Sequence, residues 1–417
     1  MDQKNKNFII LFINLAIISY MVGGLPKFFS VLAPKFSQLF NINKPTFDNY
    51  LYNSTFFSLS GKLIFSFLIN SKNFEKIIPL TNLFIIIIFC HSLSLIFCLI
   101  PSLNFHIIGR YNQGLWAGIL LILLEPIIFN CSEKASRKKL LYLKYEMVAL
   151  LTPMAFLITN LTETYWSWVL ILMASFSLIA SIAILFCKSQ DNYYIENQNN
   201  LLSIGGFFES LTNPIIFLNN LIIGGILGCF LVLCQNHYLH VVTGKPLVKG
   251  IIQGLPYSLG FLISFFIKND NIRNIIRKIV VYILMASCFY LMVGFYGQWN
   301  LKYGFMALIN GLYIVFLLWT PDILNKLLHI KPENISHRSV STASQVIRSL
   351  MTLIVCKVLN IIYQNKKEIH GFYLMALLVF IGINGLLMTF NINEKNVYYC
   401  NIIYGIVFGI LIISVYC

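Results

Sequence analysis

Three cations interrupt long apolar runs in this sequence: Lys62, Arg110 and Arg348. A charge inside a hydrocarbon layer is expensive, so each is read as a functional position first. Arg110 lies in the run NFHIIGRYNQGLWAGILLILLEPIIFN. At ~100° per helical residue, Arg110, Gln113, Gly114, Ala117, Leu121 and Glu125 fall on one face. That face is small and polar, while the rest of the helix is Leu, Ile and Trp. Glu125 is ~22 Å further along the axis, too far for a direct ion pair with Arg110. Around Arg348, the residues Ser341, Ser344 and Thr352 share its helical face, with Gln345 at the edge. Ser54, Ser58 and Lys62 share another face, and Gly61 permits close approach. The chemistry on offer is capture of an anion or relay of a proton. The plainer reading is a guanidinium bonded to a carbonyl, and serines bonded between helices. Lys357 lies nearer a span end and is expected to snorkel.

The acids are few. Glu125, Glu146 and Asp322 fall near the inner ends of apolar runs. They suit gating ion pairs with loop cations, or proton sites if desolvation raises their affinity for protons. Asn219, Asn220, Gln253, Tyr257, Asn310 and Tyr313 are polar or aromatic positions inside other runs. Each alone suits a helix-packing hydrogen bond; together they suit the lining of a cavity. His91, His237 and His240 are isolated, so no metal site is expected. Ten cysteines are scattered with no CxxC pair, and read as small membrane hydrophobes. There is no G-x-x-x-x-G-K-[ST], no HExxH and no DxD, so neither ATP binding by a P-loop nor a transferase constellation is expected. No cofactor is implied.

These residues need a membrane scaffold. The chain is 58% hydrophobic and 11% charged, with mean hydropathy +0.76. Ordinary soluble domains carry about 25% charged residues. The net charge of +15 is therefore a matter of membrane orientation, not of nucleic acid. Thirteen apolar runs are legible. The first twelve, from 8–31 to 370–391, divide into two sets of six around the polar stretch KSQDNYYIENQNNLLS. The reading is an all-α polytopic membrane protein with an N-terminal half at 1–188 and a cytoplasmic linker at 189–206. A C-terminal half follows at 207–392, and 393–417 forms an extra hydrophobic helix. Eighteen Lys and Arg fall on the side of the N-terminus against seven on the other, which places the N-terminus in the cytoplasm. A weak repeat pairs LLEPIIFN (Leu123 to Asn130) with LLWTPDILN (Leu317 to Asn325). Six helices repeated twice is the pattern of a parallel-repeat transporter.

Several motifs then carry a resemblance. Arg110-Tyr-Asn-Gln-Gly114 is similar to R-x-x-Q-G in span four of the major facilitator superfamily. Asn41 to Asn70 resembles the second span of its drug:proton antiporter branch, which includes the bicyclomycin-resistance proteins. The loop after that span usually reads G-x-L-x-D-R-x-G-R-R. Here Ser66 and Asn73 stand at its glycines, Leu68 matches, Asn70 replaces the aspartate, and Lys76 keeps the basic end. Pro153 survives from the span-five signature, and Trp166-Ser-Trp168 resembles the W-R-W that opens span six. The resemblance implies a twelve-helix fold and alternating access. It also implies proton-coupled export of a drug-like compound, as in multidrug resistance, or of a siderophore, with Arg110 as proton relay or substrate contact. The charge type of Lys62, Arg110 and Arg348 favours an anionic substrate. Uptake by proton symport is the alternative reading. A membrane-embedded transferase and a non-transporting sensor are remote ones. A monomer in a bacterial inner membrane is the expected setting.

Overall fold

The computed structural model describes residues 3–69, 79–132, 163–187, 204–214 and 336–365, with isolated helical positions between 140 and 279. Every regular element among the described residues is a helix. Most of the linker 189–206, and most or all of the apolar runs at 140–162, 247–267, 279–298, 303–325, 370–391 and 397–417, lie outside them.

The chain begins with a continuous helical rod. It comprises α1 (Gln3–Ser19), a π-helical turn (Tyr20–Gly24) and α2 (Leu25–Leu39). In the π-turn the Leu25 amide donates to the Tyr20 carbonyl, five residues back. Pro26 follows at once and has no amide hydrogen to continue the α-ladder, so the wider turn falls where the ladder is weakest. The rod outruns the apolar stretch 8–31 read from the sequence and carries Lys35 within it. It stops at a cap in which the Ile42 amide bonds the Ser37 carbonyl (2.9 Å) and the Asn41 amide bonds the Gln38 carbonyl (3.2 Å). Asn41 takes φ 52°, the left-handed conformation that asparagine tolerates and that such a cap requires.

Then come α3 (Lys44–Ile69), α4 (Leu80–Phe97) and α5 (Leu103–Cys131). They are followed by α6 (Trp166–Ala183), α7 (Ile204–Thr212) and α8 (Ser336–Asn365). The segments Asn5–Gly24, Leu80–Phe97, Leu103–Ile128 and Trp166–Phe186 are long and apolar enough to cross a membrane. On α4, Ile86, Phe89, Leu93 and Ile96 are exposed while Phe84, Ile87, His91 and Leu95 are buried. Both faces are apolar and only one packs on protein, as a lipid-facing helix requires.

By packing, the chain divides into two compact units: Met1–Ser210 with Lys331–Val346, and Leu211–Ile330 with Ile347–Cys417. The division falls inside α8.

In the first unit, α3 and α5 lie backbone against backbone. A Cβ at Gly114 would fall 2.0 Å from the Ser54 carbonyl oxygen, one at Gly118 2.1 Å from that of Ser58, and one at Gly61 2.3 Å from that of Leu115. Gly114 and Gly118 form a G-x-x-x-G pair set against a serine pair of the same spacing, the small-residue packing that membrane helices use in place of a hydrophobic drive. Polar side chains tie the remaining helices. Asn14 donates to the Ala180 carbonyl (2.9 Å), joining α1 to α6. Asn7 donates to the Cys131 carbonyl (3.1 Å), and Ser92 and Ser177 share a bond of 2.9 Å between α4 and α6. Cys90, Cys98, Cys131 and Cys187 are free thiols.

In the second unit the described contacts centre on α8. The Gly224 position lies against the α8 backbone, where a Cβ would meet the Arg348 carbonyl oxygen at 2.5 Å. Thr352 donates to the Gly224 carbonyl (3.0 Å) across the same approach.

Candidate functional site

Arg110 sits about two turns into α5 and is 4% exposed. Its guanidinium lies over the Phe29 ring of α2, 4.0 Å from the centroid. Nη1 donates to Oε1 of Gln113, one turn on. The Gln113 amide in turn donates to the Cys98 thiol (3.7 Å), at the end of α4. The spacing of three residues puts arginine and glutamine side by side on the helix. A carboxamide oxygen orients a guanidinium and leaves its charge uncancelled. Among the described residues no carboxylate reaches this charge. Cation–π attraction to Phe29 offsets part of its burial.

An aromatic cluster lies beside Arg110. His106 packs against Phe29, Phe36 and Phe40, with centroids 5.7, 4.7 and 5.2 Å away. Trp166 meets Phe36 edge-on at 4.9 Å. The His106 Nδ1 and the Cys98 carbonyl are 3.3 Å apart. The extra length of α2, past residue 31, supplies this cluster. His91, isolated in the sequence, lies buried on α4 in the field of Arg110.

Glu125 is 2% exposed. It accepts a hydrogen bond of 2.8 Å from the Ser341 hydroxyl at the start of α8. Pro126, inside α5, removes one ladder bond immediately after it, which makes this a natural place for the helix to bend. Ser344, one turn on from Ser341, is also buried.

In the second unit Arg348 is half-buried, and its Nε donates to Oδ1 of Asn220. The Asn220 amide is spent on the Ile216 carbonyl (2.7 Å), which fixes its oxygen toward the arginine. Thr352 turns back to the Arg348 carbonyl (2.7 Å).

Of the residues singled out in the sequence, Arg110 meets Gln113, Glu125 meets Ser341, and Arg348 meets Asn220. Lys62 is half-buried on α3, and Lys357 is exposed on α8. Glu146, Gln253, Tyr257, Asn310 and Asp322 lie outside the described residues, as do Asn219 and Tyr313. Sequence reasoning missed His91, Phe29 and the Gly118 seam. Only the last carried a signal, the G-x-x-x-G spacing.

No protein-family model matches the chain, and no curated protein matches its sequence. Solved structures do match in fold. The MFS (major facilitator superfamily) proton:xylose symporter XylE, bound to 6-bromo-6-deoxy-D-glucose, superposes with TM-score 0.70 at 13% identity. That match covers 93% of this chain and 95% of that one. XylE from E. coli in a partially occluded inward-open conformation gives TM-score 0.65 at 14% identity, over 95% and 99%. The nucleoside transporter NupG gives 0.60 at 14%, over 93% and 100%. The chain is an all-helical, multi-pass membrane protein with the major-facilitator fold.

Proposed function

We propose that this chain is a secondary transporter working by alternating access, and that it exports a small organic anion in exchange for protons. The observation that carries the reading is how its two membrane arginines are held. Arg110 is bonded by the carboxamide of Gln113, and Arg348 by that of Asn220. Gln113 is a neutral acceptor, so it fixes the direction of the Arg110 guanidinium and leaves that charge for a ligand. Lys62 adds a third cation within an apolar helix. Such positive potential selects an anion over the lipophilic cations that many exporters carry. The fold supports transport as the activity, because two six-helix halves can rock about a site at mid-membrane. Glu125, with Glu146 and Asp322, supplies the carboxylates from which proton exchange would draw.

A second reading is uptake driven by protons. It is favoured by one observation: XylE, which shares the fold, is a proton:xylose symporter. In either direction the protein works as a monomer in a bacterial inner membrane with its N-terminus inside.

The test is transport into proteoliposomes under an imposed pH gradient. Organic anions, polycarboxylate siderophores among them, are compared with cationic drugs for the native chain and Arg348→Ala. Anion movement against the proton gradient, lost in the variant, supports export. Movement of anion together with protons selects the uptake reading. Movement of cations, indifferent to the variant, sinks the anion assignment.

A further inference from the structure

The turn at 98–102 makes α4 and α5 antiparallel neighbours, and Gly109 seats them closely. A Cβ there would lie 2.7 Å from the Cys98 sulfur and 2.8 Å from the Ser94 carbonyl oxygen. His91, Ser94 and Cys98 share one face of α4, at spacings of three and seven. His91 is the deepest of the three and so faces the part of α5 that carries Arg110 and Gln113. It is 0% exposed, and neither ring nitrogen has a hydrogen-bond partner. Arg110 itself keeps a buried Nε with no partner.

The polar groups alongside are already committed. The Gln113 oxygen serves Arg110 Nη1, and its amide serves the Cys98 sulfur. The Cys98 carbonyl meets His106, and the Ser94 hydroxyl donates to the Cys90 carbonyl at 2.8 Å. An imidazole carries at least one N–H in either tautomer. Two neighbouring helices therefore each carry a buried N–H donor with no hydrogen-bond acceptor, and no described carboxylate neutralises the guanidinium. A buried donor without an acceptor is costly, and a buried unbalanced charge more so.

We infer that Arg110 Nε–H and an N–H of His91 form a binding site for a small monovalent anion. A halide ion and the carboxylate head of a larger solute present the same chemistry, a compact negative acceptor. Either would take both donors and offset the charge in one step. The site deepens the transport reading and rests on it in using the Arg110 charge for an anion, but it depends on neither the direction of transport nor the rest of the substrate.

Thermal unfolding of the full chain in detergent tests this without any transport. Sodium chloride and sodium acetate are titrated against a bulky sulfonate buffer salt at matched ionic strength. The expected result is saturable protection. Loss of one charge-assisted bond in His91→Phe should raise the half-effect concentration ~10-fold or more. Protection by chloride identifies a free inorganic ion, and protection by acetate alone a carboxylate head. The inference is overturned if neither salt protects, or if His91→Phe and Arg110→Gln keep the native half-effect concentration. Should the variants not fold, bromide soaked into crystals of the native chain decides the matter by anomalous scattering. A peak within hydrogen-bond reach of both side chains upholds the site; if neither bromide nor acetate, soaked in turn, gives density there, it is removed.

Discussion

Arg110 is held by a residue that cannot neutralise it, and Gln113 is therefore the side chain to change. Gln113→Leu strips the acceptor from Arg110 and the donor from Cys98. It should destabilise the first unit by about 1–3 kcal/mol, the usual consequence of leaving a buried partner unmade, seen as a lower unfolding temperature. Gln113→Glu should do the opposite to stability while abolishing the positive potential. Anion transport falls in that variant even as the protein folds well, and proteoliposome flux beside thermal unfolding separates the two effects. Nearer the C-terminal end of α5, Ser341→Ala removes a donor from Glu125. The expected loss is ~1 kcal/mol, with the ratio of inward-facing to outward-facing protein changed, as read by cysteine accessibility. The Arg110 and Gln113 pair was legible because helical spacing alone brings residues three apart together. The meeting of Glu125 with Ser341, or of Arg348 with Asn220, was not. Those depend on which helix packs on which, and no local pattern encodes that.

At the level of elements, the seam between α3 and α5 is the tightest joint described. Gly118→Leu would drive a side chain into the Ser58 carbonyl, where even a Cβ has 2.1 Å. The backbones must part, and overpacking of this kind costs about 1–3 kcal/mol or more. The variant should express poorly and unfold early, while Ala117→Leu, on the neighbouring position of α5, should be milder. Asn14→Leu loses the tie from α1 to the Ala180 carbonyl. Membrane hydrogen bonds of this type average about 0.6 kcal/mol, so a small shift in unfolding temperature is expected. Helix positions were legible from apolar runs to within a few residues for α3, α5 and α8. The first rod was not. The apolar run ends at 31, yet Phe36 packs on His106 and Trp166 and draws the helix on to Leu39. The π-turn had no readable signature beyond Gly23-Gly24-Leu25-Pro26.

For the whole molecule, the fold class was legible because composition leaves few alternatives. A chain with so little charge and apolar runs of bilayer length is a helical membrane protein. The proposed orientation makes a direct prediction. Alkaline phosphatase fused after Ser102, between α4 and α5, should be active outside the cytoplasm, and fused after Lys188 it should be inactive. Reversed activities would overturn the cytoplasmic N-terminus and exchange the inner and outer ends of every span. The substrate was not legible, because a binding site is assembled from helices distant in sequence. One joint also bears on how the protein meets its bilayer. Where Gly114 and Gly118 bring α5 onto α3, each carbonyl of the serine pair faces an α-carbon whose hydrogen can serve as a weak donor. Two helices in such contact cannot tilt independently. A change in hydrocarbon thickness, which a lone helix absorbs by leaning, is met here by a slab two helices wide. Lipid chain length should therefore act on this protein as a mechanical variable, felt by both helices at once.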